Sequence, residues 1–153
     1  MLRLAFLALA FIGGAPLVSA ATPDDPAARL LHARTLRCTF TGHTTTTWRN
    51  GQRTLHSEAL KENEHVTYEH IDAVKGTGRI IGNVGAGDVM IRPDVNGGLW
   101  IIETSQAGFV FVSTVLPSYA AGTHEFIIVE SRHSWLGTNL LAEQSSGSCA
   151  VLQ

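Results

Sequence analysis

From residue 35 onward, apolar and polar residues alternate in short runs, each bounded by Gly, Pro, Asn or Asp. Short runs at close, regular spacing are typical of antiparallel strands, and no amphipathic pattern longer than two helical turns interrupts them. We therefore predict an all-β fold over residues 35–153. The expected architecture is an antiparallel meander of about eight strands that forms a small barrel or a sandwich.

Turn-forming residues divide this meander. Asn50-Gly51 is the strongest hairpin signal in the chain, and Asn96-Gly97-Gly98 and Gln106-Ala107-Gly108 predict two further tight turns. After His133 the alternation loosens, and it recovers only in the closing segment CAVLQ. That segment predicts a last short strand.

Residues 76–87, GTGRIIGNVGAG, are rich in glycine and raise the alternative of a phosphate-binding loop. The third glycine comes one residue late for the dinucleotide pattern, and the Gly-Lys-Ser/Thr of a Walker loop is absent. We predict instead that Gly76 and Gly78 turn the chain, RIIGNV forms a strand, and Gly85 and Gly87 turn it back. Gly82 inside that strand marks either a bulge or a close approach to a neighbour.

The first twenty residues read as a signal peptide. Arg3 supplies a positive start, residues 4–12 are continuously apolar, and Val18 and Ala20 suit a cleavage site after Ala20. The apolar run is too short to span a bilayer. The chain is therefore expected to be secreted or periplasmic.

We expect residues 21–34 to form an N-terminal arm before the β domain. Within it, Asp24 or Asp25 is placed to cap a short helix or turn, and Pro26 suits the first helical position.

Removal of residues 1–20 leaves 153 − 20 = 133 residues, enough for one domain with a core. The chain has 11 basic and 13 acidic residues, and loss of Arg3 leaves 10 against 13, a net charge of −3. A weakly acidic chain without a Lys/Arg cluster argues against nucleic acid or an anionic membrane as a main partner. No second apolar stretch is long enough to span a membrane.

Cys38 and Cys149 are the two cysteines of the chain. In an exported protein an even count favours a disulfide, which would place the first and last strands side by side. Two unrelated buried thiols are the alternative. A metal pair is disfavoured because neither cysteine has a second cysteine or a histidine at ligand spacing.

Seven histidines raise the question of a metal site, but none forms an H-x-H or H-E-x-x-H pair. A site assembled from different strands, for example from His43, His56 and His124, stays open. Scattered surface histidines are the simpler interpretation, and we predict neither a metal nor a cofactor.

The acids that follow apolar runs are candidates for chemistry. Glu103 and Glu130 either face water at strand ends or point into a cavity, where burial would raise the pKa of a carboxyl. A serine nucleophile lacks the G-x-S-x-G context. No catalytic residue is therefore assigned, and a small hydrolase using Glu103, Glu130 or His133 remains an alternative.

The segment VESRHSWLG places Arg132, His133 and Trp135 together at the end of a strong strand. Arg132 either recognises a ligand or closes the barrel floor by packing on Trp48 or Trp135. For a ligand pocket, the predicted lining comprises Trp100, Glu103, Phe109, Phe111, Phe126, Arg132 and His133.

The strings GTGRIIGNVGAGDV, LWIIETSQAG, SRH and the C-terminal SGSC resemble an uncharacterised family of small exported bacterial all-β proteins, over roughly residues 36–150. That resemblance implies a fold and no activity. The chain is more weakly similar to calycin-type barrels, the lipocalin- and avidin-like proteins, through Trp48 in an early strand and Arg132 in a late one. Gly42 lies six residues before Trp48, which departs from the lipocalin Gly-x-Trp.

These features lead us to expect an exported, non-catalytic binding protein for a small apolar ligand or a protein partner, with a calycin-like barrel. The alternatives are inhibition of a secreted protease through a loop or a terminal arm such as residues 21–34, and a small secreted hydrolase. A purely structural envelope protein is a third.

Overall fold

The computed structural model describes residues 25–60, 64–83, 85–105, 109–136 and 139–152. It is 73% strand and 5% helix. The elements are α1 Pro26–Leu31, β1 Thr35–Arg49, β2 Gln52–Ala59, β3 His65–Asp72, β4 Thr77–Gly82, β5 Gly85–Pro93, β6 Leu99–Thr104, β7 Val110–Tyr119, β8 Phe126–Leu136 and β9 Asn139–Leu152. Within the described residues no helix is long and apolar enough to cross a membrane.

The strands form one antiparallel meander, and a further pairing of β1 with β9 closes the sheet in a ring, although not as an even barrel. β1 is long enough to hold two neighbours on one edge, β3 along residues 36–39 and β2 along residues 42–49. Its other edge pairs with β9. The all-β prediction is confirmed, with nine strands in the described part of the chain where about eight were expected.

Two of the predicted turns have the required backbone. Asn50 and Gly51 both have positive φ (50° and 76°), as a two-residue hairpin between β1 and β2 requires. Gly97 has a φ of 85° in the turn between β5 and β6. The turn predicted at residues 106–108 lies outside the described residues, as does the signal peptide.

Helix α1 closes one end of the ring. The Asp25 side chain accepts a hydrogen bond from the Ala27 backbone N–H at 3.0 Å, and Pro26 occupies the first turn, as predicted. Leu30 and Ala33 are buried in the core. The helix packs so closely that a Cβ on Gly97 would lie 2.6 Å from the Ala27 Cβ. Residues 25–33 are therefore part of the folded body.

The apolar core fills the ring next to α1. Cys38 and Cys149 are bonded there, as direct register partners on β1 and β9, and both are fully buried. The disulfide thus joins the two strands whose pairing closes the ring. The largest fully buried side chains of this core are Leu30, Leu36, Tyr68, Ile71, Ile91, Leu99, Ile101, Phe126 and Ile128.

The C-terminal region corrects one prediction. The segment after His133 is not loose: β8 continues to Leu136, and β9 is a strand of 14 residues rather than a short one at CAVLQ. Ser145, Ser146, Gly147 and Ser148 lack the apolar alternation that identifies a strand. They are strand residues because β9 pairs with β8 on one edge and with β1 on the other.

A bulge in β1 sets which of its side chains face the interior. The register with β9 shifts between Phe40 and Gly42, so inward positions change from even to odd residue numbers. Gly147 lies opposite the bulge, where a Cβ would collide with the Thr39 carbonyl oxygen and with the Phe40 backbone. The close approach of β1 and β9 at this point requires glycine.

Candidate functional site

Two rows of inward-facing side chains cross the ring on the side of the core away from α1. Register partners on neighbouring strands lie side by side, so each row runs from strand to strand. The Arg132 row consists of Glu103, Phe111, Arg132 and Glu143 on β6 to β9. The Glu130 row consists of Ser113, Glu130, Ser145 and His43 on β7, β8, β9 and β1.

Apart from Ser113, which is buried behind Glu130, the residues of these rows line a cavity of about 700 Å³ and form its polar wall. Its other lining includes the apolar side chains of Phe40, Leu60, Val66 and Ile80. The cavity therefore combines a polar wall, which can form directed hydrogen bonds, with an apolar surface.

Glycines leave room for this cavity. A Cβ on Gly82 would meet only Val66 Cγ2, at 3.6 Å, and one on Gly87 only Ile80 Cγ2, at 4.0 Å. Both residues line the cavity, so larger side chains here would occupy it.

The glycine-rich segment is confirmed only in part. Gly76 is in a turn with a φ of 76°, but Gly78 does not turn the chain: it belongs to β4, which begins at Thr77 and ends at Gly82. Gly82 pairs with Gly85 across the hairpin, and both Gly85 and Gly87 belong to β5 instead of turning the chain back. Gly82 thus lies at a strand end beside an opening and is not a bulge.

His43 is held in place by three neighbours. Its Nδ1 lies 3.1 Å from Ser145 Oγ, and its Nε2 lies 2.8 Å from Thr45 Oγ1 and 3.6 Å from Glu143 Oε1. Because the β1 bulge places His43 and Thr45 on the inner face, this arrangement depends on that irregularity.

Glu130 ends a chain of hydrogen bonds that begins in the core. The Tyr68 hydroxyl lies 2.9 Å from Ser113 Oγ, and Ser113 Oγ donates to Glu130 Oε2 at 3.1 Å. Burial raises the pKa of Tyr68 above its usual range, so the phenol keeps its proton. Since Ser113 donates its single proton to Glu130, Tyr68 donates to Ser113.

Both inward-facing acids on β6 and β8 have raised pKa values. For Glu130 the main cause is burial, and the negative charge of Glu103 adds to it, whereas Ser113, Arg132 and His43 act in the opposite direction. For Glu103, burial raises the pKa. Within the described part of the chain, Glu103 has no hydrogen-bond or ion-pair partner.

Arg132 points into the ring and pairs with the Glu143 carboxylate. Its guanidinium also lies over the Phe111 ring, with the central carbon 5.4 Å from the ring centroid. The alternative in which Arg132 closes the floor on Trp48 or Trp135 is therefore wrong. Trp135 is exposed, and the closed end of the ring is made by α1.

The predicted lining residues divide between cavity, core and surface. Glu103, Phe111 and Arg132 line the cavity, and so does Glu130, the acid considered for a hydrolase. Phe126 is buried in the core beside Tyr119. Phe109, Trp100 and His133 do not line the cavity; Trp100 is 48% exposed and His133 is exposed.

Sequence reasoning missed Glu143 and Ser145, the β9 members of the two rows. Their inward orientation could have been predicted, because side chains on one face of a strand recur at every second residue, and residues 145 and 143 lie four and six positions before the buried Cys149. It also missed the hydrogen-bonded pair Tyr68 and Ser113, whose strands are not neighbours in the sheet. No periodicity within one segment would have joined them.

The histidines considered for a metal do not form one cluster, although His43 and His56 are on paired strands. His43 lines the cavity, His56 is exposed on β2, and His124 lies against Tyr119 near α1. Among the described residues no group of three or more His, Cys, Asp or Glu side chains is arranged to hold a metal ion.

In comparisons with protein-family models, with curated proteins and with solved structures, nothing matched this chain. The resemblances to the exported all-β family and to calycin-type barrels stay predictions.

Proposed function

We propose that this chain is an exported, non-catalytic binding protein that holds a small ligand inside its ring of strands. The observation that carries the proposal is the cavity of about 700 Å³, whose lining combines polar and apolar side chains. Ligand sites in proteins are commonly cavities of roughly 300–1,000 Å³.

Two polar groups of the wall, His43 and Glu130, are held by hydrogen bonds within the protein. His43 has three neighbours, and Glu130 accepts from Ser113, so little side-chain freedom is lost when a ligand enters. The buried disulfide and the signal-peptide pattern are compatible with an exported protein.

A hydrolase is the second candidate, because Glu103 and Glu130 share one cavity and both have raised pKa values. His133 is exposed on the outer face, so this version rests on the two glutamates. Binding is favoured for two reasons. Ser113 already donates a hydrogen bond to one oxygen of Glu130. The pKa values of both acids are raised, whereas an acid–base pair in a hydrolase has its two pKa values moved apart. For protease inhibition by residues 21–34, the burial of Leu30 gives no support.

The test is a fluorescence titration with N-phenyl-1-naphthylamine, an uncharged aromatic probe. We expect wild type to bind it and Gly82→Phe to lose at least about tenfold in affinity, because a ring at residue 82 enters the cavity without backbone strain. Ile81→Phe is the matched control, since Ile81 is half exposed on the outer face of the same strand.

Equal binding by wild type and Gly82→Phe would refute the interior site. The hydrolase alternative predicts turnover of chromogenic esters or glycosides that Glu130→Gln abolishes. We expect no turnover by wild type.

A further inference from the structure

The charges around the cavity are unbalanced. Its described lining contains five glutamates and one arginine. Arg132 forms an ion pair with Glu143, so its positive charge is neutralised within the wall. Glu58 and Glu64 are exposed at the edge. Glu103 and Glu130 remain inside, without an ion pair among the described residues.

The hydrogen bonds of the wall indicate which kind of group is missing. The donor chain from Tyr68 through Ser113 ends on one oxygen of Glu130, which presents that carboxylate as an acceptor. In the same wall Arg132 Nε and Glu143 Oε2 are buried and, apart from the ion pair between these two residues, make no hydrogen bond within the described residues. Buried polar atoms of this kind are normally satisfied by a partner. A molecule that contributes donors would satisfy the carboxylate oxygens of Glu103 and Glu130, whereas Arg132 Nε, itself a donor, needs an acceptor.

Part of the remaining cavity surface is apolar. Phe40, Val66 and Ile80 line this part, Gly82 and Gly87 add no side chains to it, and the polar residues Glu64, His65 and Asn83 also line the cavity. A ligand that fills the cavity therefore contacts both carboxylates and hydrocarbon.

We propose that the ligand is a small organic cation, an ammonium or guanidinium head joined to an apolar or aromatic body. The head lies between Glu103 and Glu130, and the body lies against Phe40, Val66 and Ile80. This inference rests on the proposed function and adds the chemical class of the ligand. An anionic ligand would meet four more carboxylates than guanidinium groups in the described lining, and the only arginine there is already paired.

Isothermal titration calorimetry at pH 7 with three ligands of one shape tests the class: 2-phenylethylamine, 2-phenylethanol and 3-phenylpropanoate. We expect wild type to bind the amine at least about tenfold more tightly than the alcohol, as a charge-assisted hydrogen bond in a partly buried site allows. The carboxylate should bind most weakly.

The variant Glu103→Gln/Glu130→Gln keeps the side-chain shapes and removes the two charges. Its preference for the amine over the alcohol should fall to within about threefold, with the affinity for the alcohol unchanged. Asp88→Asn, which removes one exposed charge from the outer face of β5, should leave the preference unchanged. If the double variant fails to fold, the two single variants are used, and each should reduce the preference.

Equal affinities for amine and alcohol, a preference that survives in the double variant, or tighter binding of the carboxylate would overturn the inference. The inference would also be overturned if none of the three ligands binds while N-phenyl-1-naphthylamine does. In that case the binding function would still be supported. If N-phenyl-1-naphthylamine does not bind either, both the binding function and the ligand class are refuted.

Discussion

The seam between β1 and β9 is held by backbone pairing and by the Cys38–Cys149 disulfide, so replacing both cysteines by alanine isolates the contribution of the cross-link. The two residues are 111 positions apart. For a closed loop of that length the chain-entropy relation gives about 5 kcal/mol of stability at 25 °C. Measured losses for native disulfides are about 2–5 kcal/mol, so we expect a loss of about 3–5 kcal/mol. In a domain of this size that lowers Tm by roughly 10–20 °C.

The assay is urea unfolding followed by far-UV circular dichroism. Because the cross-link acts mainly on the unfolded chain, the variant should show a larger m value as well as a lower midpoint. Wild type reduced with a phosphine lacks the same cross-link and should agree with the variant within about 1 kcal/mol. A loss below about 1 kcal/mol, with the bond confirmed by mass spectrometry in wild type, would refute the reasoning.

Three further predictions concern the interior. Gly147→Ala should destabilise the protein by about 1–3 kcal/mol or more, because its Cβ collides with the β1 backbone, whereas Gly82→Ala should change stability by less than about 1 kcal/mol; urea unfolding measures both. Tyr68→Phe should cost about 0.5–1.5 kcal/mol and Ser113→Ala more, because the latter leaves both Tyr68 and Glu130 without a partner; equal losses would contradict the donor chain. Folding raises the pKa of Glu103 and Glu130 above their ordinary 4.5, so the stability they contribute is fully present below about pH 4.5 and is lost as pH rises through the folded-state pKa values. Glu103→Gln/Glu130→Gln should therefore flatten the decline of stability above pH 4.5, and identical pH profiles of wild type and variant would count against the raised values.

Much of the meander was predictable because the inner face next to α1 is apolar. Strands such as β3 and β6 carry alternating or continuous apolar residues, and turns such as Asn50-Gly51 carry the residues that positive φ requires. Local chemistry also narrowed the helix cap to Asp24 or Asp25, and the structure has Asp25 as the cap.

The polar half of the interior was harder to predict for the same physical reason. Where Glu143, Ser145 and Gly147 face inward, the buried face of a strand is not apolar, and the alternation disappears. The position of His43 depends on the bulge after Phe40, which shifts the inward residues by one and arises from pairing with β9. Glu103 and Glu130 were identified as candidates, but their meeting depends on the register of β6, β7 and β8.

Binding inside the ring is measured most directly by nuclear Overhauser effects between N-phenyl-1-naphthylamine and the methyl groups of the protein. We expect contacts from the aromatic protons of the probe to Val66 and Ile80, which line the cavity. Contacts confined to exposed methyl groups such as those of Leu55 and Ile81 would contradict an interior site.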